Sequence, residues 1–220
     1  MRNIPVFISE GGSASLILKE IPHRSIAYIR LLTIRDIQAL VSECASFCRG
    51  CGAETVLFTR GAEPLEGFQH AYDTLRFHVW KHTLPSSFSP YPLEPMTPEN
   101  DAIYQRVYNR CFRNVPGAAT YDRSEIRRIY AQAQQAYLAL DSEGHPCGMG
   151  ELHGSELAAV GLLPEYRGKG LSSDLTLTLL SLCPGPEITL TVSSINTAAL
   201  SLYDRIGFTV CGKISMWYSA

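Results

Sequence analysis

One stretch in the C-terminal half constrains the fold more than any other: an apolar, strand-like run enters a glycine-rich turn and continues as a helical pattern. The turn reads Arg167-Gly168-Lys169-Gly170, and leucines recur at helical spacing from Leu171 onward. Glycines let the backbone approach a ligand closely, and a helix that begins there points unpaired amides at the same place. The stretch therefore predicts a strand-to-helix junction that binds an anion, with a tight turn that binds nothing as the alternative.

The overall composition is that of a globular protein with little net charge. Of the 220 residues, 45% are hydrophobic and 18% are charged, and the formal net charge is -2. This balance predicts neither a nucleic-acid surface nor a membrane surface, and no apolar run has the length of a membrane span. The seven cysteines are an odd number and the N-terminus has no export signal, so we expect reduced thiols and a cytoplasmic location. A small molecule or a peptide is the expected partner.

Apolar periodicity divides the chain into two regions, joined by a segment rich in proline and serine at residues 84–92. The first region predicts strands near residues 6–8, 26–32, 55–59 and 75–82 and helices near residues 34–48 and 65–72. From residue 93 the pattern predicts two helices, three strands, a helix, a strand, a helix and two final strands. The expected fold class is α/β, with a mixed sheet and helices on both faces.

Two separate blocks resemble the GNAT family of acyl-CoA N-acyltransferases. The first, Arg167-x-x-Gly170-x-Ser172, is similar to the family pattern Arg/Gln-x-x-Gly-x-Gly/Ala, with serine as the one departure. The second reads Asn196-x-x-Ala199-x-x-Leu202-Tyr203-x-x-x-Gly207-Phe208. The resemblance covers residues 93–220 and implies a GNAT-like, mixed and mostly antiparallel sheet. It also implies transfer of an acetyl group from acetyl-CoA to a primary amine by direct attack in a ternary complex.

The resemblance further assigns roles to residues of both blocks. Backbone amides in the glycine turn are expected to hold the pyrophosphate of coenzyme A, and backbone groups near its start to pair with the pantetheine arm as an added strand would. Tyr203 matches the family's general acid, which protonates the departing thiolate. Periodicity alone favours a core aromatic at that position. The expected cofactor contacts are Leu162, Leu163, Arg167, Gly168, Lys169, Gly170, Leu171, Ser172 and Asn196.

The general base matches no fixed position of the family. The candidates near the central strands are Glu151, His153 and Glu156, of which we rank Glu151 and Glu156 for this role. A solvated or strand-edge role is the alternative for each of the three. No metal is expected. Cys44-x-x-x-Cys48-x-x-Cys51 has the spacing of the radical SAM iron-sulfur motif, but Gly50 lies where that motif has an aromatic residue.

The expected domains are residues 1–92 and 93–220. The N-terminal region has the element order of the second half of a GNAT domain, but Thr33-Ile34-Arg35-Asp36 lacks a glycine loop. We interpret it either as a degenerate half-repeat that does not bind coenzyme A or as an unrelated α/β extension. The chain is expected to be a monomer or homodimer that acetylates an unidentified small-molecule or peptide amine. The alternative function is an acyl-CoA-binding regulatory module with little or no transferase activity.

Overall fold

The computed structural model describes residues 5–86, 88, 91–132 and 134–220. These residues divide into two compact units, of which the first holds the chain up to residue 75 together with residues 193–195 and 213–220. The second unit holds residues 76–192 and 196–212. The expected domain boundary after residue 92 stays a prediction.

The first unit is a twisted set of strands with one long helix on its apolar face. β1, β2 and β3 pair antiparallel in that order, and β4 pairs parallel with β3 after the crossover through α2. The buried residues of α2 recur at helical spacing and form one core with the strands. The elements are β1 (Val6–Ser9), β2 (Gly12–Ile17), α1 (Ile21–Arg24), β3 (Ile26–Ile34), α2 (Ile37–Gly50) and β4 (Thr55–Thr59).

Two expectations for the N-terminal region are wrong. Residues 65–72 form no helix but a turn that leads directly into β5 (His70–Trp80), because Gly67 has a φ of 79° that a regular helix cannot contain. The apolar residues Leu65 and Phe68 pack against the core from this turn, which explains their spacing without a helix. The predicted helix from residue 34 begins later, because Asp36 caps it by accepting a hydrogen bond from the Ala39 amide at 3.0 Å.

The second unit is a mixed, mostly antiparallel sheet. Its strands are adjacent in the order β5, β10, β9, β8, β7 and β6, where β9 and β10 are parallel and β6 to β9 are antiparallel neighbours. The elements that follow β5 are β6 (Leu93–Pro95), α3 (Asp101–Phe112), α4 (Arg123–Ala131), β7 (Gln135–Leu140), β8 (Pro146–His153), β9 (Glu156–Leu162), α5 (Leu171–Leu182), β10 (Glu187–Ser193), α6 (Thr197–Ile206) and β11 (Thr209–Ser219).

Helices cover both faces of this sheet. Gly150 of β8 lies directly under α5, where a Cβ atom would overlap Leu179. Gly161 of β9 faces the other way, and a Cβ atom there would lie 3.0 Å from the Cβ of Cys111 in α3. Because side chains alternate between the faces of a strand, the two glycines mark opposite sides of the sheet. The expected α/β class with a mixed, mostly antiparallel sheet is confirmed.

Two details of the second region differ from expectation. The cap residue Thr97 and the proline that follows it predict a helix that starts after Thr97. α3 begins at Asp101 instead, because the Asn100 Oδ1 accepts from the Thr97 amide at 2.8 Å and closes a turn before the helix. The two expected final strands are the single strand β11, with no break at Gly212.

The predicted linker at residues 84–92 lies partly outside the described residues. Among the helices of the described ranges, none combines the length and apolarity that a membrane crossing requires.

Candidate active site

The predicted anion junction lies between β9 and α5. A short 3-10 turn over Pro164–Tyr166 follows β9, and the exposed loop continues to Gly170, the residue before the first turn of α5. Gly168 and Gly170 have φ values of 74° and 79°, and a Cβ atom at either would meet nothing within 4 Å. Since glycine has no side chain to cap the helix, the first-turn amides of α5 can receive an anion from solvent.

The side chain of Arg167 anchors this loop instead of pointing toward a ligand. Its Nε donates to the Leu162 carbonyl oxygen at 3.0 Å, and one Nη donates to the Cys111 carbonyl oxygen at 2.7 Å, near the C-terminal end of α3. A second, exposed link joins Arg110 of α3 to Glu165 at 3.0 Å, which contributes about 0–1 kcal/mol. Arg167 therefore fixes the loop to β9 and α3, and its backbone amide donates to the Pro164 carbonyl oxygen at 3.3 Å, so the amides that face solvent come from the residues after it.

Lys169, Leu171 and Ser172 complete the junction. The Lys169 ammonium lies 5.4 Å from the centroid of the Tyr166 ring, within the range of a cation–π contact. Leu171 and Ser172 are the first two residues of α5, so their amides belong to the turn that has no intrahelical acceptor. An ammonium and a row of free amides suit a diphosphate, and the residues of the loop therefore fit the phosphate end of coenzyme A.

β9 and β10 are hydrogen-bonded only where they begin. Their parallel pair joins Glu156 to Thr189, and the Thr189 amide donates to the Ser155 carbonyl oxygen at 3.0 Å. Beyond this point, within the described residues, the two strands form no further pairs. β9 thus has an open edge on that side, and an open strand edge can pair with the amide groups of an extended ligand.

The alternation of hydrogen bonds along β9 decides which residues offer backbone groups at the open edge. The Leu163 amide donates to the Cys147 carbonyl oxygen at 2.8 Å. The register between β8 and β9 shifts at Glu151 and Leu152, and beyond this β-bulge the odd-numbered residues of β9 bond to β8. The backbone groups of Val160 and Leu162 therefore point away from β8. The Leu163 carbonyl oxygen accepts from the Tyr166 amide at 2.9 Å, so both backbone groups of Leu163 have partners in the protein. Sequence reasoning missed Val160, which the period of two along a strand would have found.

Asn196 and Tyr203 lie at the start and on the buried side of α6. The Asn196 Oδ1 accepts from the Ala199 amide at 3.3 Å, which leaves the side-chain NH₂ group as a donor. Tyr203 is 8% exposed, and its ring meets that of Phe208 edge-on at 5.6 Å. Burial raises the pKa of Tyr203 to about 12, so the phenol stays protonated at neutral pH and can act as a proton donor.

The two glutamates that rank as general bases have different surroundings. Glu156 begins β9 at the paired end, the opposite end of the strand from the glycine loop. Glu151 of β8 is 1% exposed, and its Oε2 accepts the hydroxyl protons of Tyr121 at 2.9 Å and Tyr104 at 3.2 Å. Burial raises the pKa of Glu151, while the two hydroxyl groups act in the opposite direction. Sequence reasoning missed both tyrosines, because no local pattern connects them to Glu151.

The cysteine motif of the N-terminal region has an ordinary structural explanation. Cys44 and Cys48 are buried on the core side of α2, where burial raises the pKa of each thiol to about 11, and Cys51 is exposed after the helix ends. In the part of the chain that the structure describes, no group of three or more histidine, cysteine, aspartate or glutamate residues could hold a metal ion.

Known proteins resemble this chain in both sequence and fold. Residues 102–208 match the family model described as the acetyltransferase (GNAT) family. Peptidyl-lysine N-acetyltransferase YjaB of Salmonella typhimurium is 27% identical over 112 residues, which are 51% of this chain and 76% of that protein. Mycothiol acetyltransferase of Mycobacterium sp. (strain JLS) is 33% identical over 130 residues, which are 51% of this chain and 43% of that protein.

Solved structures share the fold at low sequence identity. A GCN5-related N-acetyltransferase from Sphaerobacter thermophilus has a TM-score of 0.60 and 14% identity, over 95% of this chain and 76% of that chain. A tandem GNAT protein from the clavulanic acid biosynthesis pathway has a TM-score of 0.54 and 16% identity, over 95% of this chain and 78% of that chain. At these identities the likeness establishes the fold alone. The family model and the shared fold together show that residues 102–208 form an acetyltransferase domain of the GNAT family.

Proposed function

We propose that the protein transfers an acetyl group from acetyl-CoA to a primary amine of a small molecule or peptide, by direct attack in a ternary complex. One observation carries the proposal: the open edge of β9 runs directly into the glycine turn that begins α5. The edge suits an extended arm with amide groups, and the turn suits a diphosphate, which are the two recognisable parts of coenzyme A. Similarity to a peptidyl-lysine N-acetyltransferase supports nitrogen as the atom that is acetylated.

Different residues of the junction would bind different parts of coenzyme A. The amides from Gly168 to Ser172 and the Lys169 ammonium would hold the pyrophosphate. The backbone groups of Val160 and the amide of Leu162 would pair with the pantetheine arm, since the Leu162 carbonyl oxygen accepts from Arg167. The free NH₂ group of Asn196 would donate to the same arm. When bound, acetyl-CoA supplies an activated acyl carbon and a thiol leaving group. The phenol of Tyr203 would give its proton to the sulfur as the acyl carbon leaves it.

The experiment that tests the proposal is a screen for acetyl-CoA consumption with amino acids, polyamines, aminoglycosides and peptides that carry lysine or a free N-terminus. We expect thiol release that depends on at least one amine, with the acetylated product visible by mass spectrometry. The competing function, an acyl-CoA-binding regulatory module, predicts that acetyl-CoA binds but that no amine of the panel is acetylated. That result would contradict the proposed transferase and favour the binding module.

We further propose that the N-terminal region is a half-repeat of the same fold. The antiparallel hairpin β1–β2, the antiparallel pair β2–β3 and the parallel pair β3–β4 across α2 have the same order as β7–β8, β8–β9 and β9–β10 across α5. The likeness to a tandem GNAT protein over 95% of this chain supports this interpretation. A repeat of this kind provides a second strand-to-helix junction, between β3 and α2.

The features that fit coenzyme A between β9 and α5 are missing from the junction between β3 and α2. β3 and β4 pair at five positions, from Ile26 with Thr55 to Arg30 with Thr59, so the edge of β3 is closed over this stretch, whereas β9 and β10 pair at one position. The carboxylate of Asp36 caps α2, which puts a negative charge where a phosphate would have to bind. The backbone of Gly11 also lies against the start of this helix, because its carbonyl oxygen accepts from the Asp36 amide at 3.0 Å.

These differences predict one coenzyme A site in each chain. Isothermal titration calorimetry of the whole protein with coenzyme A should give a stoichiometry of about one, since a closed strand pair and a carboxylate cap exclude the second ligand. A matched titration of Asp36→Asn tests the charge alone and should leave the stoichiometry unchanged, because the strand pair stays closed. Two sites in the natural protein would contradict the closed half-repeat.

A further inference from the structure

Glu151 is the centre of a buried hydrogen-bonded cluster to which β8, α3 and the segment before α4 contribute. The hydroxyl groups of Tyr104 and Tyr121 both donate to its Oε2, although they come from positions 47 and 30 residues away in the chain. A buried carboxylate is costly unless it is hydrogen-bonded, and two donors on one oxygen satisfy that requirement. An apolar residue would fill the same space more simply, so the carboxylate calls for an explanation beyond packing.

Tyr121 is held in place far more firmly than a core aromatic requires. It lies outside any helix or strand, yet its amide donates to the Asn109 Oδ1 at 2.7 Å. Its carbonyl oxygen accepts from the Asn109 and Gln105 side chains at 2.9 and 3.0 Å. Its ring stacks on Tyr108 with 3.5 Å between centroids and an angle of 14°. Three residues of α3 therefore aim the Tyr121 hydroxyl at Glu151.

The cluster lies beside the part of β9 that has the open edge. Glu151 is the register partner of Ala159, and the β-bulge between Glu151 and Leu152 occurs at this point. Ala159 immediately precedes Val160, whose backbone groups point to the open edge. Glu151 is itself sealed at 1% exposure, whereas Tyr121 is 7% exposed. Tyr121 is therefore the less deeply buried residue of the pair, and the one that keeps some surface toward an approaching acceptor amine.

We propose that Tyr121 relays the acceptor's proton to Glu151, so that the general base is a pair of residues; this inference rests on the acetyl transfer proposed above. An N–H bond of the acceptor ammonium breaks and its proton moves to the Tyr121 oxygen, while the tyrosine's own proton moves to the Glu151 Oε2. The freed lone pair forms the N–C bond as the C–S bond breaks. Tyr203 protonates the sulfur and regains a proton from the product nitrogen, and Glu151 returns its proton to solvent through Tyr121.

Several charged and titratable groups surround the carboxylate. Arg128 of α4 and His153 of β8 act on it from a distance and favour its charged form, as do the two hydroxyl donors. Tyr108 of α3 lies next in the cluster through its contact with Tyr121. The residues that pair with Glu151 in the neighbouring strands are Ala136 and Ala159, which carry no charge. Burial is the dominant influence and raises the pKa of Glu151, which makes it a stronger base than an exposed glutamate.

The test compares Tyr121→Phe with Tyr104→Phe, since each removes one hydroxyl from the same carboxylate oxygen. Tyr121→Phe and Glu151→Gln should each lower kcat by about 10²- to 10⁴-fold, the usual worth of a general base, with unchanged affinity for coenzyme A by calorimetry. Tyr104→Phe should keep most of kcat. In the pH profile of kcat/KM for Tyr104→Phe, the acidic limb should move to higher pH, because the loss of a hydrogen-bond donor raises the pKa of Glu151.

Carbon NMR of the Glu151 carboxyl group gives a readout that does not depend on turnover. The protein is labelled in its glutamate side chains, and the Glu151 signal is assigned as the one that is absent in Glu151→Gln. Carbon NMR titration should give a higher pKa for this signal in both tyrosine variants, and thermal unfolding should verify that both are folded. Equal losses of kcat in the two tyrosine variants, or normal kcat in Tyr121→Phe, would overturn the relay and leave acetyl transfer intact. Failure of the natural protein to acetylate any amine would overturn both.

Discussion

Replacing Tyr203 by phenylalanine is expected to lower kcat by about 10²- to 10⁴-fold while the affinity for coenzyme A stays the same. The phenol is buried and its pKa is raised to about 12, so it is protonated throughout the neutral range and loses only its hydroxyl in the variant. The ring contact with Phe208 remains, so α6 should keep its packing. Steady-state kinetics with the best amine of the screen and calorimetry with coenzyme A together measure the effect.

Tyr28→Phe is the matched control for this prediction. Tyr28 is exposed to the same 8% as Tyr203, and burial likewise raises its pKa, but it lies on β3 in the first unit. Tyr28→Phe should keep the kcat of the natural protein. A loss of kcat in this control would show that removing any buried hydroxyl lowers activity. If Tyr203→Phe keeps the rate of the natural protein, Tyr203 is a core aromatic and another group must protonate the thiolate.

Replacing Gly170 by valine is expected to weaken coenzyme A binding by about 100-fold, which corresponds to about 2.7 kcal/mol. Valine strongly disfavours the φ of 79° that the residue before α5 adopts, so the loop must change and the first-turn amides must move. A Cβ atom in the present conformation would meet nothing within 4 Å, so the expected cause is backbone strain and not a clash. Calorimetric titration with coenzyme A measures the loss.

Gly144→Val separates loss of the site from loss of stability. Gly144 has a φ of 81° and equally open space around a Cβ atom, but it lies in the turn between β7 and β8. Both variants should lower the free energy of unfolding by about 1–2 kcal/mol, and only Gly170→Val should lose affinity for coenzyme A. Normal binding by Gly170→Val would mean that the pyrophosphate binds elsewhere.

Local patterns were sufficient for much of the fold. The predicted limits of β4 agree with the structure, and α5 begins at Leu171, where the helical spacing of leucines begins. The proline and glycine residues 184–186 follow the end of this helix. Prediction failed where a distant packing contact or a competing local hydrogen bond outweighed the local pattern. Leu65 and Phe68 have helical spacing but pack on the core from a turn, and Asn100 ends the turn in which a helix was expected to begin.

The sequence by itself determined the acetyltransferase domain, the fold class and the glycine turn. These depend on short-range spacing and on residue types, such as glycine at positive φ, that a particular backbone conformation requires. The tertiary structure alone decided which backbone groups of β9 are free, since that depends on the register with β8 and on where β10 stops pairing. It also brought Tyr104 and Tyr121 to Glu151. Proximity of this kind comes from chain folding over tens of residues, and no periodicity along the chain encodes it.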